Sequence, residues 1–342
     1  MRLSSRFAIL MLGSLSLTTL AYGQVGLATE IVTSTQPLSS EQHAQVQSYV
    51  DYWADKLAQG DLQGMVEARN ELITSAYKRG GTTLFLQAYS VTLLPSLTEL
   101  SESEDSIRAE NALRVAAFLR TPNATGLIIS KAHKRNNDDA TTRLVAAGLL
   151  SIAVADVRES GLNSAELTTT ARGISDAIED ESDWHVVLQD LRALSAIAAS
   201  SSLSGTNRGV VRELQFASFA NLVNRVSASD EPSDLVKAIY RAMLDLRMRL
   251  IASGTGANSE SRAVAGSLRT SLSKIGAASI KQWTGLTKDA PARHAYEGTL
   301  RVGAQLLSLL DGKPDSNAAA LAKAMGRGKK DLQTALARFS DR

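Results

Sequence analysis

Leu144-Val145-Ala146-Ala147-Gly148-Leu149-Leu150-Ser151-Ile152-Ala153-Val154-Ala155 carries no charge over 12 residues, and its reading decides the fold. A membrane-spanning helix needs about 20 apolar residues, so the run is too short to cross a bilayer. The shorter stretch from Ala193 to Ala199 has the same character. Each reads as a buried inner helix, apolar on most of its circumference. A helix covered on nearly all sides needs other helices around it, which favours a layered array over a simple amphipathic bundle.

The remainder of the 342-residue chain agrees with a helical reading: 44% of residues are hydrophobic, only 5% are aromatic, and β-branched alternation is nearly absent. Pro122, Pro232, Pro291 and Pro314 stand where new periodic segments start, a position at which the missing N–H is harmless. Pro95 interrupts an apolar run and predicts a kink or break. The periodicity places helices over 39–59, 61–79, 82–100, 106–119, 124–134, 139–157, 164–178 and 183–199. A second group follows near 210–226, 234–252, 259–284, 291–310, 317–325 and 330–339. Ser253-Gly254-Thr255-Gly256 reads as a loop, and Gly326 to Lys330 as a basic hinge before the last helix. Short connections imply antiparallel hairpins.

Internal repetition is visible. Asp105 to Arg108 leads into Asn111-Ala112-Leu113-Arg114-Val115-Ala116-Ala117, and Asp139 to Arg143 leads into Leu144-Val145-Ala146-Ala147. A weaker third copy starts at Asp183, with Leu191, Leu194 and Ala196 on its inner face. An Asp, an Arg a few residues on, then Ala-Ala and Leu resembles the inner helix of HEAT-like repeats over residues 39–200. The resemblance implies stacked antiparallel helical hairpins in a superhelix, with Asp105, Arg108, Asp139 and Arg143 making structural contacts between units. A helical bundle is expected after it.

The N-terminus has the form of a secretory signal. Arg2 and Arg6 precede an uncharged apolar stretch from Phe7 to Leu20, and Ala21-Tyr22-Gly23 offers small residues for cleavage before Gln24. Export without a single Cys points to a bacterial periplasm or cell envelope. Residues 1–23 are then the signal peptide, and 24–38 a polar lead-in. Removing the signal turns the formal net charge of +2 into zero, and the zero is a cancellation. Residues 24–206 hold 14 basic and 23 acidic side chains, whereas 207–342 hold 21 basic and 12 acidic. The sign flips at the small polar stretch Ser200 to Thr206, placing an acidic helical-repeat domain at 39–205 and a basic helical domain at 206–342. Opposite charge suggests that the halves dock within or between molecules, with the separated halves coming apart in about 0.5 M salt.

Catalytic signatures fail. Zero Cys excludes thiolate zinc sites and Cys nucleophiles, and His43, His133, His185 and His294 are scattered with no metal-binding spacing. Glu179 to His185 is densely acidic but lacks the pattern of a calcium loop. Ser75-Ala76-Tyr77-Lys78 and Ser271-Leu272-Ser273-Lys274 match Ser-x-x-Lys at the frequency chance gives, without companion motifs. No catalytic, cofactor or metal residue is assigned. The favoured function is a non-enzymatic scaffold binding a protein partner or a second copy, with no nucleic acid and no integral membrane segment after cleavage. The alternatives are an envelope-polyanion binder contacting Arg327, Lys329 and Lys330, and an enzyme assembled from dispersed carboxylates such as Glu110 or Asp190.

Overall fold

The computed structural model describes residues 26–77, 80–155, 162–253 and 259–340, and among them every regular element is an α-helix. The first eight are α1 (Thr29–Val32), α2 (Ser40–Gln59), α3 (Leu62–Ala76), α4 (Thr83–Leu100), α5 (Ser106–Leu119), α6 (Pro122–Ala132), α7 (Ala140–Ala153) and α8 (Ser164–Asp180). The rest are α9 (Trp184–Ala199), α10 (Gly205–Ala228), α11 (Leu235–Ser253), α12 (Ser259–Lys281), α13 (Trp283–Leu286), α14 (Ala290–Asp311), α15 (Ser316–Arg327) and α16 (Lys329–Ser340). The signal segment 1–23, the loop at 254–256 and the expected extension of the seventh helix to residue 157 lie outside the described residues.

Helices start where the chain supplies an acceptor for the free N–H groups of a first turn. Ser39 and Gln42 form a capping box on α2, and Asn163 and Glu166 form another on α8. Asp105, Asp139 and Asp183 accept from first-turn amides of α5, α7 and α9. The repeated Asp of the sequence is thus a helix cap, and each such cap contributes about 1 kcal/mol. Arg108 stays beside its own Asp105, 3.5 Å away, whereas Arg143 reaches forward into the next helix pair, to Glu181.

The packing order is regular. Along one row α3, α5, α7, α9, α11 and α14 each touch the next, and along the other α2, α4, α6, α8, α10, α12 and α16 do the same. Chain neighbours pack between the rows, as in α2 with α3, α6 with α7, and α8 with α9. This order accounts for the charge-free run, because α7 has neighbours on several sides and no residue from Thr142 to Ala155 is exposed. At the two ends of the array, α2 and α16 turn polar faces outward. Glu41, Asp51 and Asp55 are exposed on α2, while Lys329, Lys330 and Arg338 are exposed on α16.

Four sequence expectations are modified. The lead-in 24–38 is not simply polar: Leu27, Ile31, Val32 and Leu38 are buried, and the Thr82 amide donates to the Val32 carbonyl at 3.0 Å. Helix α4 runs through Pro95 without a break. Pro95 and Val91 are both exposed, so the carbonyl that loses its helical partner is left on the solvent side. Helix α10 begins at Gly205, capped by Ser204, five residues earlier than periodicity suggested. The sign change near 205 coincides with that helix start, but the apolar core continues across it. Val211, Leu222, Val223 and Val226 of α10 are buried where α10 packs on α8 and α9, so the junction between the halves contains buried apolar side chains alongside the Arg192–Asp245 ion pair and the Arg225 bonds to the end of α8.

No helix among the described residues is long and apolar enough to cross a membrane.

Candidate functional site

Two places concentrate unusual chemistry: a buried ionic hub at the α8–α9 turn, and an open groove between α11 and α14.

The hub is built on Glu181, which is 1% exposed and is the C-cap residue of α8. Arg143 of α7 donates from Nε to Glu181 Oε2 at 2.6 Å and from Nη2 to Oε1 at 3.3 Å. Its Nη1 donates to the carbonyls of Asn137 and Asp138 at 3.0 and 2.8 Å. Glu181 Oε1 also accepts from the amides of Ser182 and Asp183, both at 2.8 Å. From α10, Arg225 donates to the carbonyls of Ile178 and Glu181 at 2.8 and 2.6 Å, satisfying the free C-terminal end of α8. One turn of chain thereby joins three consecutive helix pairs.

Asp190 lies on α9, fully buried, and neither carboxylate oxygen has a hydrogen-bond donor. Burial, and then the charge of Glu181, push its carboxyl well above the usual carboxylate range. Glu110, the other carboxylate singled out by sequence, sits on α5 in an ion pair with Arg114. Helix α7 stands between α5 and α9, so these carboxylates do not converge. Glu181 and Asp190 are both buried, at 1% and 0% exposure.

The acidic stretch 179–185 is likewise divided among separate partners. Asp180 pairs with Arg135, Glu181 with Arg143, and Asp183 caps α9 while accepting from His185 Nδ1 at 3.0 Å. Among the described residues no group of three His, Asp or Glu side chains is placed to hold a metal ion. In the Ser-x-x-Lys matches, Ser75 Oγ is bonded to Tyr49 Oη at 2.7 Å, and Lys78 lies outside the described residues. Ser271 donates to the Ser267 carbonyl at 3.0 Å while Lys274 donates to Asn224 at 2.7 Å, so that pair is separated.

The groove is lined by Arg247 and Ile251 of α11, Gln305, Ser308 and Leu309 of α14, and Gly312, Lys313 and Pro314 of the following turn. Its volume is about 490 Å³, within the span of small-molecule sites. Its far wall is pinned. Gly312 ends α14 at φ 66°, a left-handed conformation that favours glycine. Arg269 then ties Asp311, at 2.5 Å, to Asp315, and the Asp315 amide donates to Ser308 Oγ at 3.3 Å. Arg247 donates from Nη1 to Gln305 Oε1, but its Nε is buried without an acceptor. Ile251 is 54% exposed and Leu309 39%.

Arg327, Lys329 and Lys330 flank the α15–α16 joint and are all exposed, with no ion pair among the described residues. Sequence reasoning missed Arg120, which ends α5 at φ 51° and packs its guanidinium 5.1 Å from the Tyr77 ring centre. Neither Gly nor Asn marks that position, so although Pro122 signals the next helix, nothing local signals the left-handed backbone of Arg120.

No family model matches the chain, and no curated protein or solved structure matches it.

Proposed function

We propose that the chain is an exported, non-enzymatic helical scaffold that binds a protein partner or a second copy of itself. In this reading residues 39–205 form a HEAT-like superhelix of stacked hairpins and 206–342 continue it as a helical bundle. The observation that carries it is the packing order, in which each row follows the chain two helices at a time from α2 and α3 as far as α12 and α11, the last links being α11 to α14 and α12 to α16. The polar outer faces of α2 and α16 support it, because an array of this kind needs polar terminal helices to stay soluble. The closure of Asp190 and Glu181 to solvent favours binding over catalysis by those carboxylates.

The test is photocrosslinking in cells from single positions on each row. Arg114, Arg192 and Met248 serve one row, and Val91, Asn123 and Arg172 the other, all exposed. A scaffold gives adducts of one defined mass from one row and none from the other. Adducts from neither row refute the reading. Intact mass of the exported protein checks the compartment, with a mature N-terminus at Gln24 expected. Polyanion binding through Arg327, Lys329 and Lys330 is a second reading, favoured by their exposure without ion partners. It requires binding that weakens steeply with salt.

A further inference from the structure

We propose that the two ends of the helix array are complementary docking surfaces for a second copy of this chain, the acidic α2–α3 end of one molecule seating on the basic α15–α16 end of the next. The proposal rests on the scaffold reading above and names its partner.

Helices α2 and α3 open the two rows, whereas α15 and α16 close them, α15 packing on α14 and α16, and α16 on α12 and α15. Every exposed Asp, Glu, Lys or Arg from Ser40 to Ala76 is an acid: Glu41, Asp51, Asp55, Asp61 and Glu71. The bases of that span are engaged, because Lys56 is half-buried on Glu67 at 2.7 Å and Arg69 donates to the buried Asn111 at 3.0 Å. From Ser316 to Ser340 the sign reverses, and exposed Lys323, Arg327, Lys329, Lys330 and Arg338 face Asp331 alone. None of these exposed side chains has an ion partner among the described residues. Each end therefore carries unneutralised charge that the other end complements.

Spacing and relief agree as well as sign. Asp51 and Asp55 stand one turn apart on α2, and Lys323 and Arg327 one turn apart on α15, about 6 Å along the axis in both cases. Two charge pairs can align in one register. Beside the acids Tyr52 is 43% exposed, its ring held edge-on against Trp53 at 4.9 Å. On the cationic face α15 exposes Ala319, Ala320 and Gly326, and nothing lies within 4 Å of where a Cβ on Gly326 would stand. A rigid aromatic knob on one end is matched by a low floor on the other.

A foreign partner of either charge would use one end, whereas a second copy uses both. The surfaces belong to opposite limits of the packing order, so the contact is heterologous and adds molecules head to tail. Exposed charge pairs contribute little singly, which makes the contact weak and salt-dependent.

Sedimentation equilibrium of the full-length mature protein tests it. At about 20 mM salt the average mass rises with protein concentration, and by about 0.5 M salt, where screening shortens to a few ångströms, it returns to that of the monomer. Asp51→Lys with Asp55→Lys weakens association at least about tenfold, as does Lys323→Glu with Arg327→Glu. Mixing these two reversed proteins restores association, because each offers the charge the other lacks, and the chain carrying all four changes associates by itself. Circular dichroism melts check that every variant is folded. A monomer at low salt overturns the proposal, as does association that persists at the higher salt, survives either reversal or fails to return on mixing. Dextran sulfate bound by a chain that stays monomeric makes the basic end a polyanion site and also overturns it. The crosslinking positions on α4 to α11 lie between the ends, so adducts from one row leave the scaffold reading standing when the ends prove silent.

Discussion

Glu181 is the point at which the fold is most exposed to a single substitution. Replacing it by Ala leaves the Arg143 guanidinium, 5% exposed, with only the Asn137 and Asp138 carbonyls as partners. Removing one member of a buried ion pair costs about 3–5 kcal/mol. The amides of Ser182 and Asp183 lose their common acceptor as well, each bond contributing about 1 kcal/mol. These terms overlap, because the turn relaxes once the carboxylate is gone, and a total of about 4 kcal/mol is expected. The reverse single change, Arg143→Met, costs less, about 2–3 kcal/mol, since Glu181 retains both amide donors. The double variant Arg143→Met/Glu181→Leu removes both charges together and falls within about 2 kcal/mol of the wild type. The pair is therefore strongly non-additive. Urea unfolding at pH 7 reads the cycle, followed by far-ultraviolet circular dichroism and by fluorescence of Trp184, which begins α9 three residues after Glu181. Additive single losses, or a Glu181→Ala cost below about 1 kcal/mol, would show that Arg143 and Glu181 do not share a desolvated bond.

Three further perturbations probe other parts of the molecule. Asp190→Leu is expected to stabilise by about 1–3 kcal/mol, because it removes a buried carboxyl without partners. For wild type the sign follows from the raised carboxyl of Asp190: the folded chain holds a proton that the unfolded chain releases above about pH 4. Stability from this group is full below that point and falls as pH rises toward the folded-state value, so the difference between wild type and Asp190→Asn in denaturation midpoint has to widen with pH. Gly298→Ala places a Cβ 2.7 Å from the Tyr240 ring. Overpacking outweighs the gain in helix propensity, and a net loss of about 1 kcal/mol is expected in thermal melts. Cleaving the chain at an inserted protease site between Ser201 and Ser202 leaves the halves associated in about 0.5 M salt on a sizing column, because salt does not weaken the burial of Val211, Leu222, Val223 and Val226 where α10 meets α8 and α9.

Much of the helix register was readable because the chain marks its own punctuation. Ser39, Asp61, Asp139 and Asp183 are caps that advertise a helix start, and Pro122 and Pro291 sit in first turns. The apolar circumference of α7 correctly required neighbours on several sides. What escaped the sequence depends on distance along the chain. Arg143 and Glu181 are 38 residues apart, and nothing local distinguishes that Arg from Arg108, which stays beside its own cap. Helix α1 is only four residues long and shows no period. At Pro95 the sequence predicts a kink or break, because its exposure on the outer side of α4 depends on tertiary packing. Asp190 stands out in the sequence only as one of several dispersed carboxylates, and its isolation from every donor is a property of the packed helices. The groove involves α11, α14 and a turn that no single periodic pattern joins.

The bonds around Glu181 also set how the molecule carries mechanical load. An array of helix pairs held mainly by apolar contact peels from its ends at low force, one pair at a time. Arg143 reaches forward to Glu181, and Arg225 reaches back to the carbonyls of Ile178 and Glu181. The one fully buried ion pair, between Arg143 and Glu181, therefore lies in the middle of the chain among the described residues, inside the outer Arg269 bridges. Stretched between tethered ends, the chain is expected to give way from both sides toward these central bonds, which a single-molecule pulling trace reads as a last force peak that Glu181→Ala removes.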